Sequence, residues 1–214
     1  IIPVCQLQGS GSTSPYRGQV LTTQGVIYAR RRGPSPGVFL QHEGCDAHPE
    51  TSNGLFLMLD VGQWSLSEGD QVRVTGRVGE VQGQTVLREV SHLQDLSVGH
   101  TLPDPRLLTS MWERGTQQLE PLEGMLVRVQ GGRVVQDAGE SGRVTLSLAG
   151  RILSVGDRVG YVIGALEETQ EGFCLYPLNA FQLHRNMAVP APDTTVYPVG
   201  WDREPGWVDV RPFH

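Results

Sequence analysis

The chain has no lysine: all 17 of its basic side chains are arginine, set against 23 Asp and Glu, for a net charge of −6 over 214 residues. Seven arginines face nine acids up to residue 97, eight face ten up to residue 186, and two face four beyond it, so each portion carries −2. No portion is globally basic, which argues against strong non-specific binding to duplex nucleic acid. Aromatics are scarce at 7% and the hydrophobic fraction is 38%. No apolar run approaches the ~20 residues of a membrane-spanning helix. Cysteine is nearly absent: Cys5, Cys45 and Cys174 match neither a CxxC pair nor a zinc-finger spacing. In an exported protein a Cys5–Cys45 bridge is possible, with Cys174 left as a buried thiol, but spacing alone does not fix the connectivity. The opening "IIPVCQLQG" has no initiator methionine, which leads us to expect a processed, secreted or cell-surface protein.

Glycine and proline are abundant, with 27 and 14 copies. They separate short segments rich in β-branched and aromatic residues: "QVLTTQGVIYA" (19–29), "GVFLQ" (37–41), "GLFLML" (54–59), "DQVRVTGRVGEV" (70–81) and "QTVLREVSHL" (84–93). Five strands in under 100 residues predict a small closed barrel. The plan recurs in "GMLVRVQGGRVVQ" (124–136), "GRVTLSLAG" (142–150), "DRVGYVIGALEE" (157–168) and "GFCLYPLNAFQL" (172–183). "LSEGDQV" (66–72) matches "LSVGDRV" (153–159) at an offset of 87, while Gln82/Gln170 and Leu87/Leu175 match at 88, so one residue is inserted between. The expected fold is all-β: a first five-stranded barrel over 1–97, a connector over 98–123 with a short helix near Thr109–Gln118, a second barrel over 124–186, and an extended proline-rich tail over 187–214. The stretch "GRVGEVQGQTVL" and its later counterpart "GALEETQEGFCL" would then be one fourth-to-fifth-strand turn, written once per barrel.

Several segments, in order, resemble a known family. "LQGSGSTSPYRGQVLTTQGVIYA" (7–29), "GVFLQHEGCDAHPETSNGLFLML" (37–59), "EGDQVRVTGRVGEVQGQTVL" (68–87) and "LEPLEGMLVRV" (119–129) are similar to the non-catalytic region of large secreted bacterial nucleases of the ExeM type. The resemblance covers about residues 5–186. It implies tandem oligonucleotide/oligosaccharide-binding (OB) barrels, which in that family precede a metal-dependent DNase I-like domain. The chain departs from the family in the loop after the second strand. Aspartate-rich positions there are His42, Cys45 and His48, and the carboxylate persists as Asp46. The motifs of the nuclease domain are missing from the sequence.

An OB-type ligand groove is flanked by the loop after the first strand and the loop between the fourth and fifth. Arg30, Arg31 and Arg32 fall at the first of these and could contact phosphates or stack on bases, or they could line a solvated turn. Phe39, Gln41 and Phe56 lie on the second and third strands, where stacking platforms sit; the competing reading is that both phenylalanines fill the barrel. Arg73 and Arg77 alternate with valines and should point outward. "QHEGCDAHPE" (41–50) gathers His42, Glu43, Cys45, Asp46, His48 and Glu50, but its spacing is too tight for a finger, and a hydrogen-bonded polar loop accounts for it without metal. "SGSTSP" near His42 has no nucleophile elbow or oxyanion signature. The sequence therefore leads us to expect no catalysis, no cofactor and no metal. The expected function is an accessory module that holds single-stranded nucleic acid weakly for a nuclease domain. The alternative is a structural or adhesive extracellular module binding protein or glycan, and fold alone does not choose between them.

Overall fold

The computed structural model describes residues 1–31, 35–42, 44–45, 48, 50–108, 119–134, 146–148, 151–153, 158–169, 172–184, 196–197 and 210–211. The expected helix near Thr109–Gln118 and most of the tail lie outside the described residues. The described chain is β-rich throughout.

Strands β1 (Val20–Arg31), β2 (Gly37–Gln41), β3 (Gly54–Met58), β4 (Gln71–Val81) and β5 (Gln84–Ser97) close a barrel in the order β1–β2–β3–β5–β4. The β3–β5 pair is parallel, whereas β1 runs antiparallel to both of its neighbours. The alternation in β4 builds the core directly: Val72, Val74 and Val78 are buried, while Gln71, Arg73, Thr75 and Arg77 between them are only half-buried. With Ile27, Val38, Leu40, Leu55, Leu57 and Leu87 these valines fill the barrel. Helix α1 (Val4–Gln8) plugs it with Val4 and Leu7, both fully buried. A disulfide from Cys5 to Cys45 ties α1 to the loop after β2.

The connector contains a short strand the sequence did not suggest, β6 (Arg106–Leu108), and a 3-10 turn at Glu120–Leu122. Strand β7 (Leu126–Val134) pairs with β6 in parallel and with β10 (Arg158–Thr169) antiparallel. Strand β11 (Gly172–His184) pairs with β10, and the two-residue strands β12 (Val196–Tyr197) and β13 (Val210–Arg211) flank the sheet. Strands β8 (Leu146–Leu148) and β9 (Arg151–Leu153) form a separate hairpin. Among the described residues the second sheet is open, so the barrel architecture expected of both halves is seen in the first. No helix among the described residues is long and apolar enough to cross a membrane.

The repeated stretch folds the same way twice. Val78 pairs with Leu87 across the β4–β5 hairpin, and Leu166 with Leu175 across β10–β11; the hairpins end at Val81–Gln84 and Thr169–Gly172. Every one of these positions is offset by 88. Each hairpin also has a register shift at the equivalent glycine. A Cβ on Gly76 would lie 2.8 Å from Arg88 O and 3.0 Å from Leu87 Cγ, and one on Gly164 would strike Tyr176 O and Leu175 Cγ. Only a residue without a side chain lets the strands pinch together there. The first strand repeats too: Gln24 opposes Arg73 on β4, and Gln130 opposes Tyr161 on β10.

Candidate functional site

The side chains of β1–β3 that point away from the barrel interior meet the second sheet. Tyr28, Ala29, Phe39, Phe56 and Val86 pack with Leu126, Ala165, Tyr176 and Leu178 in one buried cluster. The Phe39 ring centroid lies 4.7 Å from Phe56, 5.9 Å from Tyr28 and 6.0 Å from Tyr176. These tilted rings have the separations of favourable aromatic pairs. Phe39 and Phe56 are therefore neither barrel filling nor an open platform: they are 0% and 1% exposed against the second sheet. Gln41 is buried beside them, and its Oε1 accepts a hydrogen bond from Leu126 N at 3.1 Å. Alternation along a strand separates inside from outside, but it does not tell an open outer face from one that another sheet covers.

Polar groups stitch the same junction. Tyr28 Oη donates to Gly124 O at 2.6 Å. A Cβ on Gly54 would overlap the Gly124 carbonyl, so β3 and the connector touch backbone to backbone. Arg30 and Arg31, expected in a loop, extend β1 and pair with Val38 and Gly37 of β2. Arg31 turns toward the second sheet: its Nη1 lies 2.7 Å from Glu167 Oε1, its Nε donates to Ser35 O, and its guanidinium stacks 4.0 Å from the centre of Phe56. Burial pushes the Glu167 carboxyl up to about 7, against the opposing pull of Arg31. Burial, and then the Glu167 charge, holds the Tyr28 phenol above its ordinary range. Arg30 is half-buried near Glu68, and Arg32 lies outside the described residues.

Arg73 and Arg77 do sit between inward valines on β4. Arg73 Nη2 reaches Gln24 Oε1 at 3.4 Å, while Arg77 donates to Glu89 Oε2 at 2.8 Å and to Gly18 O at 2.7 Å. Of the expected site residues, then, Arg31, Phe39, Gln41 and Phe56 come together at the junction, while Arg73 and Arg77 lie on the β1–β4–β5 face. In the loop after β2, Glu43, Asp46, Ala47 and Pro49 lie outside the described residues. Cys45 is taken by the disulfide, which removes the thiolate from any His42–Cys45–His48 ligand set.

A second feature of the junction was not read from the sequence. Glu120, Glu123 and Glu168 each present a carboxylate oxygen within 4.8 Å of the others. Glu123 is 1% exposed; its Oε1 accepts from Thr85 N at 3.0 Å and Gln8 Nε2 at 3.2 Å, and its Oε2 has no partner. Glu80, at the end of β4, stands nearby, held by Ser14 N and Thr85 Oγ1. Burial, then the charges of Glu168 and Glu80, pushes Glu120 up to about 7. Glu123 is raised well above the ordinary carboxylate range by burial and then by Glu120, and Glu168 is raised by burial and then by Glu80. The only sequence signals were the Glu120/Glu123 spacing around Pro121 and the adjacent pair Glu167–Glu168.

Comparison with protein-family models and with curated proteins finds no match to this chain.

Proposed function

We propose that this chain is a non-catalytic extracellular scaffold module in which an OB-type barrel is locked to a second copy of its own plan and binds protein or glycan through its remaining surfaces. The strand order β1–β2–β3–β5–β4 with a parallel β3–β5 pair supports the OB reading. The Cys5–Cys45 bridge supports an oxidising compartment. The observation that carries the function is the burial of Phe39 and Phe56 under Tyr176: the aromatics a single strand would stack on serve instead as interdomain core.

A second reading keeps the nucleic-acid accessory role and the resemblance to secreted nucleases, moving the contact to Arg73, Arg77 and Arg88 on the outward side of β4 and β5, of which Arg88 is exposed. Fluorescence anisotropy of a single-stranded oligonucleotide at low salt separates the two. The scaffold reading expects no saturable binding. Saturable binding that weakens with salt, and whose salt slope flattens when the three arginines become alanine, would establish the second reading instead.

A further inference from the structure

We propose that the cluster Glu120–Glu123–Glu168 at the junction of the barrel and the second sheet is a calcium site, and that calcium clamps the two together. The donors come from separate parts of the chain: Glu120 and Glu123 from the 3-10 turn and its end, and Glu168 from β10 beside the second copy of the repeated turn. Carboxylate oxygens within 4.8 Å of one another span what one calcium coordination sphere subtends, since each Ca–O bond is about 2.3–2.6 Å. The donor set is all oxygen, which suits a hard cation and not zinc or copper. Three carboxylates converging in a partly dry space also outnumber what magnesium, which holds on to its waters, usually takes.

Glu123 Oε2 is the observation that separates this cluster from an ordinary acidic patch. It belongs to a side chain 1% exposed and has no hydrogen-bond partner, while its sister Oε1 has two. A buried carboxylate oxygen left bare is costly unless something positive meets it. The charges acting on Glu120, Glu123 and Glu168 are each other's and that of Glu80, whereas Arg17 acts on Glu80. Gly83 at φ +102° lets the β4–β5 turn approach Glu168 Oε2, where a Cβ would lie 2.5 Å away. Cation binding at this junction is independent of whether the module binds nucleic acid, protein or glycan.

The test uses the whole chain, stripped with EDTA and dialysed, then titrated calorimetrically and melted in calcium chloride, magnesium chloride or sodium chloride of matched ionic strength. We expect saturable uptake of one calcium, a melting temperature that rises with calcium, and a much smaller rise with magnesium. Glu168→Gln should weaken calcium binding about tenfold or more while raising the melting temperature of the stripped protein, because it relieves repulsion. Glu123→Gln removes the bare oxygen's charge and should abolish uptake; where that variant does not fold, the half-buried Glu168 variant decides. An absence of saturable calcium binding by the folded protein, equal affinity in Glu168→Gln, or an equal response to magnesium would each overturn the calcium assignment.

Discussion

The hairpins β4–β5 and β10–β11 share one register and one pinching glycine, yet the surfaces beside them differ in character. Val20, Arg77 and Arg88 on the barrel correspond through those registers to Leu126, Ala165 and Tyr176 on the second sheet. Val20 is 56% exposed and Arg88 is exposed, while Leu126, Ala165 and Tyr176 are 5%, 0% and 4% exposed. The same backbone thus presents a charged outer face in one copy and an apolar docking face in the other. In a tandem array of similar units, only a face that receives a neighbour needs to be apolar, and an end unit must carry a polar one. The first barrel carries such a polar face on its β1–β4–β5 side, and it receives the second sheet on its β1–β2–β3 side.

Exchanging residues between equivalent positions tests that difference most severely. Ala165→Arg installs in the second sheet the side chain its counterpart carries. It buries an unpaired guanidinium among Tyr28, Phe39 and Tyr176, so a loss of at least about 3 kcal/mol is expected in urea unfolding. The reverse change, Arg77→Ala, removes an exposed ion pair with Glu89 and should leave the midpoint nearly where it was. Equal losses from the two would mean that the faces are not differentiated as described.

The repeat was legible because turn residues and strand spacing are local. The offset of 88 between Leu87 and Leu175 carried straight through to the paired hairpins. The outward direction of Arg73 and Arg77 was legible for the same reason, since period-2 alternation is a property of one strand. What pairs across the junction was not. Phe39 and Tyr176 are 137 residues apart, and nothing in either segment says which outer face covers the other. Arg30 and Arg31 read as loop because they precede Gly33 and Pro34, whereas cross-strand pairing with Val38 and Gly37 draws them into β1. The acidic junction escaped notice because its carboxylates are scattered from Glu80 to Glu168 and become neighbours only after the sheets dock.

The Arg31–Glu167 ion pair carries the next largest expected effect. Glu167 follows the docking face along β10, and its equivalent on the barrel is Gly79, so the ion pair belongs to the junction alone. Arg31→Met should cost about 3 kcal/mol by leaving a buried carboxylate without its partner, whereas Arg31→Met with Glu167→Leu should recover most of it. The loss should depend on pH. Glu167 titrates near 7 in the folded chain, above its ordinary range, so its stabilising contribution is complete below about pH 4.5 and fades as pH rises through 7. Without Arg31 the folded carboxyl holds its proton still more tightly, and the deficit should be larger near about pH 8 than near about pH 5.5. A deficit equal at both would mean that lost packing against Phe56, and not the charge, sets the cost.

Tyr28→Phe isolates one hydrogen bond between the copies and should cost less than Arg31→Met. The ring stays in the aromatic cluster, so the apolar contacts with Phe39 persist and only the 2.6 Å bond from Tyr28 Oη to Gly124 O is removed. A buried carbonyl that loses its donor typically costs about 1–2 kcal/mol. Gly124 N still donates to Leu166 O, so the connector keeps its hold on β10 and the change should act on the barrel side of the junction. Burial and the Glu167 charge keep the Tyr28 phenol protonated well past its ordinary range, so this deficit should be flat with pH where the Arg31→Met deficit is not. Amide hydrogen exchange is the sharper measurement. Protection should fall at Gly124 and Met125 ahead of the barrel valines Val72 and Val74; a uniform fall across all four would mean that barrel and junction open as a single unit.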